Sequence, residues 1–429
     1  MTTIKTTNGK KRVCVVGAGA AGLCAARHLA ADASLEFCVF EQANDVGGTW
    51  IYEEDAKSKE NQQIHSSMYK NLRTNLPSTI MNFPDYQTMG NQDHQTSSCL
   101  THQQVLGYLR NYTEHFNLRN FIEFNTKVLQ IRPEISVDKQ TCWQVTTENI
   151  NDSVRKNLEF DFIMVCNGHY FDPKIPNLSG IESFPGRISH SHLYRKPDGY
   201  LGKIVFVLGA SSSGIDIGFD LSTHASRVYI SHNNERLSSS LPVNVTELYG
   251  VERIEVNKIY LKDGTHVIVD DIIFCTGYNY SFPFLDNNCD IRVDENYVTP
   301  LYKHFVNIKH PTMCIVGVPS VIVPFPLFHM QVKYFLALIK KSASLPPESE
   351  MLEDSRLKSG VKKRHAHKLA AEQWEYNDWL ATAGHFERLP SFYKIGYTIW
   401  GKRKKADLLH YKDSKLVLSD DGTVLLVTQ

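Results

Sequence analysis

Gly17, Gly19 and Gly22 stand in the run RVCVV-GAGAAG-LCAARHLA, residues 12 to 30. A β-branched run stops at glycine and a helix-compatible run follows. Glycine at these three spacings permits a tight turn, close backbone approach to a ligand and close helix–strand contact. The free N–H groups at the helix start then hold an anion, which makes a pyrophosphate the fitting ligand. Ala18, Ala20 and Ala21 fill the loop without adding bulk. Glu41, followed by Gln42, ends the next apolar run, LEFCVFEQ, 19 residues past Gly22. An acid about 20 residues on suits a ribose hydroxyl pair.

The same plan returns in KIVFVL-GASSSG-IDIGFDLS, residues 203 to 222. Here the middle glycine is Ser211, whose hydroxyl, with those of Ser212 and Ser213, can contact phosphate before Gly214. No acid closes the following RVYIS run, and Arg236 lies nearby. A cation suits a ribose 2′-phosphate, which an acid would repel. Two dinucleotide sites imply electron transfer between two cofactors. The acid-terminated site suits the adenosine of FAD and the second suits NADP, so the chain reads as a flavoprotein oxidoreductase.

The elements that must position these loops give an α/β fold of two dinucleotide-binding, Rossmann-like domains. The NADP domain is inserted into the FAD domain. The expected division is residues 1–172 for the first part of the FAD-binding domain and 173–299 for the NADP-binding domain. Residues 300–429 complete the FAD-binding domain with C-terminal helices and a hairpin. Thr101 and Gln104 form a capping box for a helix over 101–116. Short strands are expected over 121–165, and two more between RVYIS and DDIIFCTGY. FHMQVKYFLALIKK (328–341) reads as a buried helix with a basic C-terminal turn, and residues 362–384 as another. KLVLSDDGTVLLV reads as a hairpin around Asp-Gly.

Composition narrows the partners. Lys+Arg and Asp+Glu are both 46, so no basic excess points to nucleic acid or an anionic membrane. No apolar run is long enough to span a bilayer. The N-terminus has no apolar leader as written, so a soluble, cytoplasmic chain is expected, with secretion left open if a leader was removed. Homo-oligomerisation is left open too. The nine cysteines form no C-x-x-C, which argues against a redox dithiol or a zinc ribbon. His190, His192, His232, His365 and His367 do not converge in the sequence, so no metal is expected. KSGVKKRHAHK reads as a solvated helix face.

The stretch FPGRISHSHLYR decides the family resemblance. Phe184, Gly186, His190, Tyr194 and Arg195 spell F-x-G-x-x-x-H-x-x-x-Y-R. With GAGAAG, Gly47-Gly48-Thr49-Trp50, Thr74-Asn75-Leu76-Pro77, Gly209–Gly214 and Phe274-Cys275-Thr276-Gly277-Tyr278, in order, the sequence resembles the flavin-containing monooxygenases. Its length and motif wording look like the soluble insect type, most like the pyrrolizidine-alkaloid (senecionine) N-oxygenases.

The resemblance implies that NADPH reduces FAD, that reduced flavin takes up O₂ as a C4a-hydroperoxide, and that a nucleophilic nitrogen or sulfur takes the distal oxygen. The substrate would be a tertiary amine, such as a plant alkaloid to be detoxified. By the same resemblance Asn75 is the catalytic residue, its amide beside the reactive edge of the flavin and the nicotinamide ribose. Gly48, Thr49 and Trp50 line the flavin, with Thr74 beside Asn75. Ser211, Ser212, Ser213 and Gly214 hold the NADP pyrophosphate, and Thr276 lies near the cofactor. One departure concerns the donor: the family often has arginine where this chain has Asn233, with Arg236 as the candidate substitute. His190 is expected to hold loop geometry rather than to move protons. Two alternatives stand beside this reading. A Baeyer–Villiger monooxygenase acting on ketones is opposed by Tyr194-Arg195. A non-enzymatic NADP-binding protein is opposed by the intact first loop, Glu41 and Asn75.

Overall fold

The computed structural model describes residues 9–54, 66–89, 97–135, 141–419 and 422–427. The α-helices run Ala20–Ala30 (α1), Ser78–Met81 (α2), His102–His115 (α3), Ser212–Ser222 (α4), Pro324–Ile339 (α5), Glu348–Asp354 (α6), Gln373–Gly384 (α7) and Phe392–Ala406 (α8).

Two sheets organise the chain. A seven-stranded sheet has the order Leu301–Tyr302, Val306–Asn307, Met313–Ile315, Phe162–Val165, Lys11–Val16, Leu35–Phe40, Ile122–Glu123. Its central pairs are parallel, with Lys11–Val16 hydrogen-bonded to Leu35–Phe40 on one side and Phe162–Val165 on the other. A five-stranded parallel sheet has the order Val245–Tyr249, Arg227–His232, Ile204–Leu208, Asp271–Phe274, Arg187–His190. The chain leaves the first sheet after Val165, builds the second, and returns at Leu301. That excursion is the expected insertion of one Rossmann-like unit into another. Parallel strands need crossovers, and α1 and α4 supply the first crossover of each unit.

The first sheet is buried on both faces, as parallel sheets are. On one side Val13, Val15 and Met164 meet Leu23, Ala26 and Leu29 of α1 and Met330 and Phe335 of α5. On the other, Cys14, Val16, Ile163 and Val165 meet Trp143, Val145 and Leu158 of an antiparallel sheet, Thr126–Ile135, Thr141–Asn149 and Arg155–Phe160.

Several expected elements differ. The capping box is present: Thr101 accepts from the Gln104 N–H at 3.3 Å and Gln104 Oε1 from the Thr101 N–H at 2.9 Å. Helix α5 starts earlier, at Pro324, because proline at the first helical position suits a start. It ends at Ile339, and no basic residue lies in its last turn. Residues 362–384 are helical in α form only over α7. Ala370 adopts φ +48°, which breaks the run, and short 3-10 turns precede it. KSGVKKRHAHK is therefore not a solvated helix face, and His367 within it is buried. Four strands, not two, separate Arg227–His232 from Asp271–Phe274. The C-terminal hairpin pairs Lys415–Leu418 with Val424–Val427, while Asp421 of its turn lies outside the described residues.

Candidate functional site

The two glycine loops have the same backbone construction. Gly17 donates to Phe40 O at 2.8 Å, and Gly209 donates to Ser231 O at 2.8 Å. Each has positive φ, +97° and +116°, and a Cβ there would meet the carbonyl oxygen of a strand-end cysteine. The distances would be 2.8 Å to Cys166 and 2.4 Å to Cys275. A Cβ on Gly22 would lie 1.8 Å from Gly17 O, and one on Gly214 would lie 1.8 Å from Gly209 O. Side chains at these positions would push helix from strand, so glycine is dictated four times.

The middle position obeys a different rule. Gly19 caps α1 with φ −73° and Ser211 caps α4 with φ −82°, so neither needs glycine for its backbone. Gly19 is instead confronted by Gly48: a Cβ on Gly48 would lie 2.9 Å from the Gly19 Cα. Ser211 is exposed, so a side chain fits there. Neither helix start carries a side-chain cap, leaving backbone donors available to an anion. These cradles fit the pyrophosphates of two dinucleotides.

Glu41 sits at the strand end and is buried. Its Oε2 accepts from the Ala18 N–H at 2.6 Å and its Oε1 from the Ala43 N–H at 2.8 Å. Burial raises its pKa, and these backbone donors work against the rise. Glu41 thus clips the first loop to the adjoining strand, beside where a ribose would lie. Gly47 donates to Ala18 O at 3.1 Å, and Thr49 O accepts from Ser66 Oγ at 2.9 Å. The sequence therefore brings Gly19, Glu41, Gly48, Thr49 and Trp50 into one neighbourhood.

Asn75 is held by Thr74, which the sequence motif includes, and by Trp400 and Tyr411, which sequence reading missed. Thr74 Oγ1 donates to Leu76 O at 2.7 Å and accepts from the Leu100 N–H at 3.0 Å, fixing the turn. Trp400 Nε1 donates to Asn75 O at 3.0 Å, and Tyr411 Oη donates to Asn75 Oδ1 at 3.0 Å. Helix α8, which carries Trp400, also brings Lys404 Nζ to 3.4 Å from Ser212 Oγ at the second loop. Burial lowers the Lys404 pKa. Asp216 of α4 accepts from Tyr69 Oη at 3.0 Å and pairs with Lys412 Nζ at 2.5 Å. The segment 67–76, the start of α4 and the segment 400–412 therefore meet at Asn75 and the second loop.

FPGRISHSHLYR works as a staple. Arg195 is buried and donates to the backbone oxygens of Glu53 at 2.8 Å, Ser66 at 3.2 Å, His192 at 2.8 Å and Tyr194 at 2.9 Å. Tyr194 Oη donates to Asp220 Oδ2 on α4 at 2.6 Å. The stretch thereby ties α4 to the loop behind Trp50. His190 Nδ1 accepts from the His192 N–H at 3.1 Å, and burial depresses the His190 pKa to about 4. A neutral imidazole that caps its own turn fits loop geometry. Thr276 Oγ1 donates to Lys174 O at 2.5 Å, at a crossing between the two sheets.

The cation expected for a 2′-phosphate is differently arranged. Arg236 is mostly exposed and donates to Glu247 O at 2.9 Å. Glu247 also contacts His232 Nε2 at 2.7 Å. At Asn233, Lys262 Nζ donates to Oδ1 at 2.9 Å, placing a second cation where the family arginine would stand. A side-chain contact between two turns 29 residues apart gave no sequence signal.

The fold and its two nucleotide cradles define a two-cofactor flavoprotein oxidoreductase. Residues 10–240 and 242–387 match the FMO-like family, described as flavin-binding monooxygenase-like. The chain is 34% identical over 434 residues to flavin-containing monooxygenase FMO GS-OX-like 2 of Arabidopsis thaliana, covering 94% of this chain and 91% of that protein. Among solved structures it is similar to S-allyl-L-cysteine S-oxygenase from Allium sativum, with TM-score 0.88, 32% identity and 96% of each chain covered. It is also similar to Tmm from Pelagibacter sp. strain HTCC7211, with TM-score 0.84, 25% identity and coverage of 97% of this chain and 96% of that one. The chain belongs to the flavin-binding monooxygenase-like family. Its cofactors are FAD and NADP, and its substrates are O₂ and a small molecule. The insect N-oxygenase resemblance is not reinforced by these relatives, two of which are plant proteins. Among the described residues, no helix is long and apolar enough to cross a membrane.

Proposed function

We propose that the chain uses NADPH and O₂ to oxygenate the nitrogen of a tertiary amine, with plant alkaloids such as pyrrolizidine alkaloids as the substrate class. The Tyr194-Arg195 staple supports an amine or sulfide oxygenase over the ketone-oxidising relatives, and the choice of an amine rests on the resemblance of the motif wording to the insect N-oxygenases. Bound FAD, reduced by NADPH, supplies an oxygen atom from O₂ to a nucleophile. The chain's own residues then bind, orient and exclude water.

In this reading the first loop with Glu41 and Gln42 holds FAD. The second loop, with Lys404 beside Ser212, holds NADP, and Thr276 lies at the crossing near it. With its Oδ1 taken by Tyr411, Asn75 would have its amide Nδ2 left to serve a bound cofactor. The proposed division at residues 172/173 and 299/300 would keep each glycine loop with its own sheet, while Cys289 and Val298 pack into the core of the first sheet.

A sulfide is the second reading, favoured by the likeness to a protein described as an S-oxygenase. Mass spectrometry of products from a panel of tertiary amines, sulfides and cyclic ketones tests both. N-oxide from the amines, pyrrolizidine alkaloids included, is expected. Sulfoxide alone would move the assignment to the second reading, and lactone alone would end both.

A further inference from the structure

Helices α1 and α5 pack face to face behind the first sheet, and three metal-binding side chains meet between them. Cys24 and His28 are four residues apart on α1 and so share a face. His28 Nε2 lies 3.1 Å from His329 Nδ1 of α5. The Cys24 sulfur and one ring nitrogen of each histidine all lie within 4.8 Å of one another. Asp85, which follows α2, places Oδ1 3.8 Å from His329 Nδ1 and Oδ2 4.0 Å from His28 Nε2.

We propose that Cys24, His28, Asp85 and His329 form a zinc(II) site that clips α1 to α5. It lies on α1 beyond the first nucleotide loop and uses none of the loop residues. The donor set is one thiolate, two imidazoles and one carboxylate, a combination that suits zinc's borderline softness. Around tetrahedral zinc such donors stand about 3.3 to 3.6 Å apart, so shifts of roughly an ångström close the site. Burial holds both imidazoles neutral, the ligating form, with His28 depressed to about 3. Burial also raises the Cys24 thiol, so the metal must displace its proton.

Two cations face the cluster. Arg27 Nε is 3.3 Å from Asp85 Oδ2, and Lys333 is paired with Glu387 at 3.0 Å. Zinc with one thiolate and one carboxylate carries no net charge, which these neighbours tolerate. His28 and Asp85 keep some exposure, 14% and 21% of their side chains, which leaves a way in. A hydrogen-bonded histidine pair alone would account for the 3.1 Å contact but would give Cys24 no part. The sequence expectation of no metal came from histidines elsewhere; His329 lies 301 residues from His28 and only the fold joins them.

The test uses the full chain isolated with its flavin. Zn²⁺ is titrated against a chromophoric chelator, and Co²⁺ in parallel. The expected result is one site per chain tighter than about 1 µM, with tetrahedral Co²⁺ bands to the red of the flavin absorption. His329→Asn and Cys24→Ser should each abolish it while flavin content is unchanged. Wild-type affinity weaker than that, octahedral Co²⁺ spectra, or tight binding that survives both substitutions overturns the proposal. If either variant fails to hold flavin, the wild-type titration and Asp85→Asn decide by the same criteria.

Discussion

Tyr411 Oη donates to Asn75 Oδ1 at 3.0 Å, across 336 residues of sequence. Because Oδ1 is engaged, the amide of Asn75 has one orientation and its N–H groups are aimed elsewhere. Trp400 fixes the backbone oxygen of the same residue. Tyr411→Phe removes a hydrogen bond worth about 1 kcal/mol and lets the amide turn. The expected result is full flavin content but a roughly three- to tenfold fall in kcat for oxygenation. Hydrogen peroxide released per NADPH should rise. An unchanged ratio of product to peroxide would show that Asn75 is not positioned through Tyr411.

The paired glycines separate the two cofactors. Gly22→Ala places a methyl 1.8 Å from Gly17 O, and Gly214→Ala does the same at Gly209 O. The obstacle in each case is backbone, so helix and strand must part. Gly22→Ala is expected to yield colourless or unfolded protein. Gly214→Ala should keep its flavin and raise KM for NADPH by roughly ten- to a hundredfold. Flavin absorbance per chain and NADPH titration read the two effects. Equal loss of flavin in both variants would contradict independent cradles.

What the sequence made legible follows from which constraints are local. Gly17, Gly22, Gly209 and Gly214 were readable because backbone geometry leaves no other residue type. Thr101 and Gln104 were readable because a capping box lies within four positions. Helix α8 was not, since Gly396 and Gly401 interrupt its helical signal. Gly396 is there for packing: a Cβ would stand 2.7 Å from Ile80 Cγ2. Trp400, Lys404 and Tyr411 reach the site only through that long-range packing, so no motif announces them. The same holds for Lys262, which reaches Asn233 from a neighbouring hairpin.

His367 gives an acid-sensitive clamp. It is buried, its Nε2 accepts from the Val298 N–H at 2.9 Å, and its Nδ1 meets His304 Nδ1 at 3.0 Å. Burial first, and His304 second, depress its pKa to about 3. Unfolding restores a value near 6.5, so the unfolded chain takes up a proton that the folded chain refuses. The stabilisation is therefore complete above about pH 6.5 and is lost as pH falls toward 3. Between pH 7 and pH 5 His367 alone accounts for a loss of about 2 kcal/mol. Urea midpoints at the two pH values should differ less in His367→Gln than in the wild type. An identical pH dependence in the variant would rule the clamp out.

Donor choice depends on how the second site meets the ribose 2′-phosphate. The strand Arg227–His232 ends without an acid of its own, and the neighbouring carboxylate of Glu247 is engaged by His232 and Arg236. Its cations are weakly committed. Arg236 is 61% exposed and shares Glu247 with His232, while Lys262 is held by the Asn233 amide rather than by a carboxylate. Exposed charges act through high dielectric and give little discrimination each. NADPH should therefore be preferred over NADH, but by less than in relatives with an arginine at the position of Asn233. Arg236→Ala and Lys262→Ala should each lower kcat/KM for NADPH a few-fold and leave NADH nearly untouched, and the double variant should bring the two donors close together. Asn233→Arg should widen the preference roughly tenfold, about 1.4 kcal/mol of transition-state binding. The measurement is the ratio of kcat/KM for the two donors across the four variants. A large NADPH advantage that survives removal of both Arg236 and Lys262 would place the phosphate contact elsewhere, with Lys404 the next cation to replace.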